Sequence, residues 1–317
     1  MTCREESLAV GEPLSATAPL AQCWIVIEQP GSWGREALTE SGLDPELGAR
    51  LRDAMRGTGT RILLARHPDR PARAGHDDRR VWIAHTAPGT SHLRAGILDD
   101  PAVIAGWDLA GLAAGRWPAF GSPVGNPLML ICTHGSRDAC CAVAGRPLLD
   151  NLLASLPSTR REEVWECSHL GGHRFAPNAL VLPSGDVYGR LTTDRARAVL
   201  GGEEAGVVAV AEHRGRSAFA PPLQAAEHAI RELGIIDRDV LDVLWVRGDR
   251  AIPVQPGTDL DNIASMLAEV RHRDGRAWRV SVRQQPLTAA RPESCGADAV
   301  EGASWIASSV ESVDPWA

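Results

Sequence analysis

The sequence predicts an α/β protein in which a central domain is flanked by an N-terminal α/β segment and a small C-terminal α/β segment. Its apolar runs, such as residues 127–131, have the length of strands, and none approaches the roughly 18–20 residues of a membrane span. Stretches with helical spacing alternate with these runs, and Gly and Pro separate the two kinds of segment. We place the boundaries so that the chain divides into residues 1–120, 124–205, 206–290 and 291–317.

The N-terminal segment, 1–120, is predicted to contain three strands and two helices. One helix spans residues 45–55, with Asp44 as its N-cap and a proline at the first helical position. The other helix spans residues 100–114 and ends before a glycine. Short runs rich in β-branched and apolar residues predict the strands, at residues 23–27, 61–65 and 80–84.

The central segment, 124–205, has a clearer order of elements. A first strand leads through a polar loop into a helix at residues 141–156, and a second strand precedes a loop rich in Gly and His. A hairpin follows, and Thr192 or Thr193 caps a last helix. The strands are predicted at residues 127–131, 163–167, 179–182 and 186–191. This order, β-α-β followed by β-β-α, is that of a thioredoxin-like module.

The C-terminal segment, 206–290, is predicted to form a small α/β unit. Helices are expected near residues 222–233 and 258–271, and strands near 241–247 and 277–283. The tail, 291–317, is rich in Ala, Ser and Pro, and we expect it to be extended or mobile.

Charge and composition argue against several functions. All 33 basic residues are Arg, which excludes mechanisms that need a Lys nucleophile or the Lys of a phosphate-binding loop. A net charge of -7 argues against nucleic acid as the main partner, because binding to phosphates needs a basic surface. The first residues show no basic stretch followed by an apolar run, so no secretory signal is expected. We expect a cytoplasmic protein without a membrane partner.

Cysteine and histidine are concentrated on two loops of the central segment. Cys132 and Cys141 follow one predicted strand, and His169 and His173 follow the next. Both loops would therefore reach the carboxyl edge of the sheet, where ligands bind in open α/β sheets. Thiolates and imidazoles suit zinc or iron–sulfur centres, and the glycine pair between the two histidines would let the backbone pass close to such a centre.

The spacing of these residues can be compared with the motifs of zinc, iron–sulfur and thiol-redox sites. A zinc finger expects two to four residues between paired Cys, whereas eight residues separate Cys132 from Cys141. A [2Fe–2S] cluster tolerates separate ligand loops, and His ligands to one iron are known from Rieske centres. A Rieske box needs C-x-x-H in its second half, however, and Cys167 and His169 form only C-x-H. The C-x-x-C motif of a thioredoxin-type enzyme is absent from the start of the predicted helix.

The two loops resemble the sucrase/ferredoxin-like family of thioredoxin-like [2Fe–2S] ferredoxins. Cys132-x8-Cys141 and His169-Leu-Gly-Gly-His173 match the family motifs C-x8-C and H-x-G-G-H. The resemblance covers most of residues 15–205. It implies a [2Fe–2S] cluster held by Cys132 and Cys141 on one iron and by His169 and His173 on the other. Candidates for supporting residues around these ligands are Cys140, Arg137, Gly171, Gly172 and Arg174, and Cys140 could instead replace Cys141 as a ligand.

The resemblance implies an electron carrier that works with a redox partner protein, either a reductase or an acceptor. Two imidazoles in place of two thiolates make the cluster less negative, so its reduction potential should exceed that of an all-Cys ferredoxin. Loss of an imidazole proton would couple the potential to pH. Sucrose hydrolysis would need two carboxylates flanking the scissile bond, and no local signature singles out such a pair. Two other functions stay open: a thioredoxin-like thiol-redox enzyme that uses Cys140 and Cys141 or Cys132, and a structural zinc-binding module.

Overall fold

The computed structural model describes residues 1–69, 78–254, 258 and 263–313. It confirms the α/β class, with helices packed against a ten-stranded mixed sheet and a separate five-stranded sheet. Within those ranges, none of the helices has both the length and the apolar character that a bilayer crossing requires.

The first half of the ten-stranded sheet comes from the N-terminal segment. Its strand order is β2-β1-β3-β4-β5, with β1 parallel to β2 and antiparallel to β3. Asp44 caps the helix before β2 by accepting hydrogen bonds from two backbone amides, as its position in the sequence predicts. In chain order the elements are α1 (Cys3–Ala9), β1 (Cys23–Glu28), α2 (Ala37–Glu40), α3 (Pro45–Ala54), β2 (Thr60–Arg66), β3 (Arg79–His85), β4 (His92–Leu98), α4 (Leu109–Ala113) and β5 (Ser122–Val124).

The second half follows the predicted order of the central segment. The strand order is β10-β9-β8-β6-β7, with β6 parallel to β7 and antiparallel to β8. The elements are β6 (Leu128–Cys132), α5 (Ala139–Ser155), β7 (Val164–Cys167), β8 (Ala179–Leu182), β9 (Asp186–Tyr188), α6 (Thr193–Ala205) and β10 (His213–Arg216).

The two halves of this sheet have the same topology. In each half a strand, a helix and a parallel strand are followed by two antiparallel strands, a further helix and an edge strand. The halves meet where β2 pairs with β7 in antiparallel orientation, with Ala65 opposite Cys167 and Arg66 opposite Glu166. Residues 1–120 and 124–205 therefore contribute to one continuous sheet.

Apolar side chains between the sheet and its helices form the core. Leu149 and Leu152 of α5 pack with Met129 and Ile131 of β6, and all four side chains are fully buried. Full burial of such a side chain stabilises the fold by about 1.5–3 kcal/mol. This packing fixes the first turn of α5 relative to the end of β6, where the predicted ligand loop begins.

The C-terminal region forms a second sheet, in the order β12-β11-β13-β14-β17, with its strands antiparallel and with α7 packed against it. A short hairpin, β15-β16, lies between β14 and β17 in the chain. The elements are α7 (Pro221–Arg231), β11 (Leu241–Arg247), β12 (Arg250–Ile252), β13 (Ser265–His272), β14 (Ala277–Pro286), β15 (Arg291–Pro292), β16 (Ala299–Val300) and β17 (Ala303–Val313).

Three sequence predictions are wrong. The predicted helix at 100–114 is two short helices, the 3-10 helix Pro101–Gly106 and α4, because Trp107 between them has an extended backbone. The predicted helix at 258–271 overlaps β13, and residues 255–257 and 259–262 lie outside the described residues. The tail 291–317 is expected from its sequence to be extended or mobile; residues 303–313 are not a mobile tail but the extended strand β17, paired with β14, and residues 314–317 lie outside the described residues.

Candidate metal centre

Cys132 and Cys141 are brought together by the turn between β6 and α5. Cys132 is the last residue of β6, and Cys141 lies in the first turn of α5, whose N-cap Asp138 accepts a hydrogen bond from the Cys140 amide. Helix α5 approaches the strand closely at Gly145, where a Cβ atom would lie 2.2 Å from the Cys132 carbonyl oxygen. Both thiols are buried, with 1% of each residue exposed.

His169 and His173 lie on the loop that follows β7. Between them Gly171 and Gly172 have φ angles of +87° and +69°, in the left-handed region that favours glycine. A Cβ atom at Gly172 would lie 2.3 Å from Nη2 of Arg214, so the close approach also requires glycine. The tight turn stacks the two imidazole rings, with centroids 5.1 Å apart and planes inclined by 28°.

The two loops bring three of the four predicted ligands into one group. The ligand atoms of Cys132, Cys141 and His169 all lie within 4.8 Å of one another, and Cys141 Sγ is 3.7 Å from His169 Nδ1. His173 stands beside this group, with its Nε2 atom 3.6 Å from Oδ2 of Asp138. Its two ring nitrogens are buried and have no hydrogen bond of ordinary geometry within the described part of the chain, although the Glu293 backbone lies near enough to oppose the lowering of the ring's pKa by burial. Buried polar atoms are ordinarily paired, so these nitrogens are available to a ligand.

The surroundings of the two thiols favour a thiolate at Cys132. The hydrogen bond from Cys141, together with His169, holds the pKa of the Cys132 thiol well below its usual range. The same hydrogen bond raises the pKa of Cys141. Burial lowers the pKa of Arg214 to about 9, which leaves this side chain a cation at neutral pH and places positive charge near the thiols.

Arg214 also holds the histidine loop in place. Its Nη1 atom donates hydrogen bonds to the Gly171 carbonyl oxygen and to Oδ1 of Asn178, both at 3.0 Å. Its Nε atom donates to Oγ1 of Thr17 at 3.0 Å, and Nη2 donates to the Thr17 carbonyl oxygen. No sequence pattern singles out Arg214, because it lies in a polar, charged run, and only the fold shows that it is 1% exposed.

His134 fixes the backbone of His169. The His169 amide donates a hydrogen bond of 3.2 Å to Nδ1 of His134, so the other ring nitrogen, Nε2, carries the proton and donates to the Gly34 carbonyl oxygen at 2.6 Å. Trp33 packs edge-on against the same ring, with centroids 5.9 Å apart. His134 thus connects the loop after β1 to the loop after β7.

The predicted supporting residues have different surroundings. Gly171 and Gly172 shape the histidine loop, as described above. Arg137 forms an ion pair with Glu36. Arg174 binds Glu12 at 2.9 Å. Cys140 is buried with a different set of side chains from Cys141.

The sucrase/ferredoxin-like family model matches residues 14–213, which include both loops and the whole ten-stranded sheet except part of β10. The chain belongs to the sucrase/ferredoxin-like family. The matched range corresponds to nearly two thirds of the 317 residues and leaves out α1 and the C-terminal sheet. No solved structure matches the chain.

Three curated relatives share the name "Altered inheritance of mitochondria protein 32". The chain is 39% identical to the Meyerozyma guilliermondii protein over 62 residues, which are 18% of this chain and 22% of the relative. It is 37% identical to the Eremothecium gossypii protein over 74 residues, 23% of each chain. It is 30% identical to the Debaryomyces hansenii protein over 83 residues, 24% of this chain and 30% of the relative. The matches thus span between a fifth and a third of the relatives' length.

Proposed function

We propose that the chain is an electron-transfer protein that binds a [2Fe–2S] cluster through Cys132, Cys141, His169 and His173. The convergence of the first three ligand atoms within 4.8 Å, from two loops at one sheet edge, is the observation that carries this proposal. The unpaired nitrogens of His173, beside His169, supply the fourth ligand.

The spread of the four side chains favours two irons over a single zinc ion. Around one tetrahedral zinc ion, sulfur and nitrogen ligands would all lie within about 4 Å of one another, given bonds of roughly 2.0–2.3 Å. Three of the four predicted ligand atoms lie within 4.8 Å of one another, and His173 lies outside their group. A cluster with ligands on two irons extends over a wider region.

The burial of the thiols argues against the thiol-redox alternative. Disulfide exchange requires a thiolate that a partner's sulfur can reach. Cys132, Cys140 and Cys141 are each at most 3% exposed. Buried thiols are compatible with a cluster that exchanges electrons near the protein surface through its more exposed ligands. His169 and His173 are more exposed than the two cysteines.

When bound, the cluster would accept and release one electron, and the protein's residues would set its charge and position. The Arg214 cation would offset the negative charge of the two thiolates, and its hydrogen bonds would hold the histidine loop. His134 would fix the His169 backbone. The expected potential above that of all-Cys ferredoxins, and its dependence on pH, stay predictions that a redox titration at several pH values would measure.

The first test is iron and acid-labile sulfide analysis of anaerobically purified full-length chain, with visible and EPR spectra. We expect about two irons and about two sulfides per chain. Alanine at Cys132 or Cys141 should abolish the spectrum. Cys23→Ala is the matched control, since Cys23 is equally buried in a separate apolar cluster and should leave the spectrum unchanged.

A second variant separates ligand loss from unfolding. His173→Cys restores a thiolate ligand, so it should retain iron and shift the potential downward, because a thiolate is more negative than an imidazole. Colourless protein that contains zinc in the group of Cys132, Cys141 and His169 would refute the electron-transfer proposal and favour the structural zinc module.

The partner and the location of the chain are further proposals. A redox partner protein is proposed, either a reductase or an acceptor. The relatives' name refers to inheritance of mitochondria, whereas the sequence predicts a cytoplasmic protein; cell fractionation distinguishes the two locations.

A further inference from the structure

A second group of metal-binding side chains lies next to the candidate centre. Sγ of Cys140 is 3.2 Å from Sγ of Cys295 and 3.5 Å from Sγ of Cys3, and the third pair of sulfurs is 3.6 Å apart. Oδ1 of Asp138 is 4.0 Å from Sγ of Cys3. One ligand atom from each of these four residues lies within 4.8 Å of every other.

The three thiols come from distant parts of the chain. Cys3 begins α1, Cys140 lies in the first turn of α5, and Cys295 follows the short strand β15. Cys3 and Cys295 lie outside residues 14–213, the range that matches the family. The group is therefore not part of the C-x8-C and H-x-G-G-H pattern.

The distances between the sulfurs are closer to those of a metal site than to those of a disulfide. Zinc–sulfur bonds of about 2.3 Å in a tetrahedron place sulfurs about 3.8 Å apart, so each pair here would separate by roughly 0.2–0.6 Å on binding. A disulfide needs about 2.05 Å between its sulfurs, so even the closest pair would have to approach by more than about 1 Å. With the three sulfurs at their observed positions, an ion about 1.2 Å above the plane through them would lie at the zinc–sulfur bond distance from each.

Asp138 is oriented toward this group by backbone hydrogen bonds. Its Oδ1 atom accepts from the Cys140 amide at 2.9 Å, and its Oδ2 atom accepts from the Cys295 amide at 2.8 Å. Although burial opposes ionisation, these two amides hold the pKa of the carboxyl below its usual range. A carboxylate has about four acceptor positions, so it can hold both amides and still bind an ion.

We propose that Cys3, Cys140 and Cys295, with Asp138, bind a structural zinc(II) ion that is separate from the [2Fe–2S] cluster. Closed tetrahedral sites rich in thiolates are typical of structural zinc, and a carboxylate oxygen can supply the fourth ligand. On binding, the three thiols lose their protons to solvent and each sulfur forms a bond to the ion, without any change of oxidation state.

Without an ion, the surroundings of Cys3 and Cys140 favour protonated thiols. Burial, together with the hydrogen bonds among the thiols, raises the pKa of Cys3, and burial raises the pKa of Cys140. The Arg4 backbone acts in the opposite sense on the pKa of Cys140 and favours a thiolate ligand there.

The ion would connect both ends of the chain to the candidate cluster. Glu12, just after α1, binds Arg291 of β15 at 2.7 Å, so α1 and the C-terminal segment already contact each other. The zinc would fix this pair to the start of α5. Asp138 would then be held on both sides, since its Oδ2 atom is also 3.6 Å from Nε2 of His173.

Elemental analysis of the full-length chain, purified anaerobically, tests the proposal by measuring zinc and iron together. We expect about one zinc per chain in the native protein. Cys3→Ser and Cys295→Ser should each lower bound zinc by at least about five-fold, whereas Cys23→Ala should leave it unchanged. Iron should stay within about two-fold of the native value in all three variants, because none of the changed residues is a proposed cluster ligand. Loss of zinc with retained iron therefore tests this site independently of the cluster.

A measurement on the unmodified chain avoids dependence on variants that fold poorly. Cys295 is the most exposed of the three thiols, so alkylation by iodoacetamide, read by mass spectrometry, reports its state. Zinc-loaded chain should react at least about ten-fold more slowly than chain treated with a chelator, because a metal-bound thiolate is a poor nucleophile. Equal rates, zinc that persists in both serine variants, or a Cys140–Cys295 disulfide in protein kept from air would each overturn the proposal.

Discussion

Replacement of Arg214 by Met tests whether this buried cation organises the histidine loop. The side chain donates four hydrogen bonds, to the Gly171 carbonyl oxygen, to Asn178 Oδ1 and to both oxygens of Thr17. Methionine fills a similar volume with no donor, so all four acceptors would lose this partner. The loop that carries His169 and His173 would lose its attachment on this side.

The magnitude follows from two opposing contributions. Each hydrogen bond from a charged donor contributes about 1.5–3 kcal/mol, which gives a gross loss of about 6–12 kcal/mol for four. The variant also loses the unfavourable burial of a charge, which amounts to several kcal/mol in the opposite sense. The difference predicts that Arg214→Met lowers the free energy of unfolding by about 3–5 kcal/mol.

Urea unfolding of the anaerobically purified chain, followed by circular dichroism, measures this change. Arg197→Met is the matched control, because Arg197 is exposed on α6; its unfolding free energy should change by less than about 0.5 kcal/mol. Iron content of each sample shows whether the loop still holds its ligands. If Arg214→Met stays within about 0.5 kcal/mol of the native protein, Arg214 does not organise the loop.

Two further predictions concern α5 and α6, both measured by urea unfolding. Gly145→Ala places a Cβ atom 2.2 Å from the Cys132 carbonyl oxygen, so it should release iron and destabilise the fold by at least about 2 kcal/mol. Gly201→Ala is the control, because open space surrounds Gly201, and it should stabilise α6 by roughly 0.5–1 kcal/mol. Equal changes in unfolding free energy for the two variants would contradict a close contact at Gly145. Burial, with Asp186 nearby, raises the pKa of Glu203 to about 7, so the folded carboxyl keeps its proton to higher pH than the unfolded one and stability falls as pH rises between about 4 and 7. Glu203→Gln should therefore stabilise the fold by up to about 3 kcal/mol at pH 8 but not near pH 4, and the same gain at both pH values would exclude this cause.

The elements of the central segment could be predicted because their local patterns agree with their environment. The runs at β6 and β8 are apolar throughout, and every residue in them is buried. Such a run predicts a strand that is covered on both of its faces. The two ligand loops followed directly, since each begins where a strand ends. Local sequence therefore predicted that Cys132, Cys141 and His169 would lie together, whereas their binding of a cluster stays a prediction.

The C-terminal strand β13 shows why other elements could not be predicted. Its residues Met, Leu, Ala and Glu are good helix formers, and local propensity favours a helix. In the structure Met266, Ala268 and Val270 are buried in alternation against neighbouring strands, so sheet packing overrides propensity. The Cys3–Cys295 contact joins residues 292 positions apart, and no local pattern reports such a pairing.

Because the two halves of the sheet share one topology, the loop after β1 in the first half can be compared with the loop after β6, which carries ligands of the candidate centre. β1 and β6 occupy equivalent positions, but β6 ends in Cys132, whereas β1 leads into a loop that lacks thiols. In that loop Trp33 packs against His134, and the Gly34 carbonyl oxygen accepts a hydrogen bond from His134 Nε2. His134 in turn fixes the His169 backbone. The loop after β1 in the first half therefore packs against the candidate centre. It contributes through its contacts with His134, which positions the His169 backbone, and not through ligands of its own.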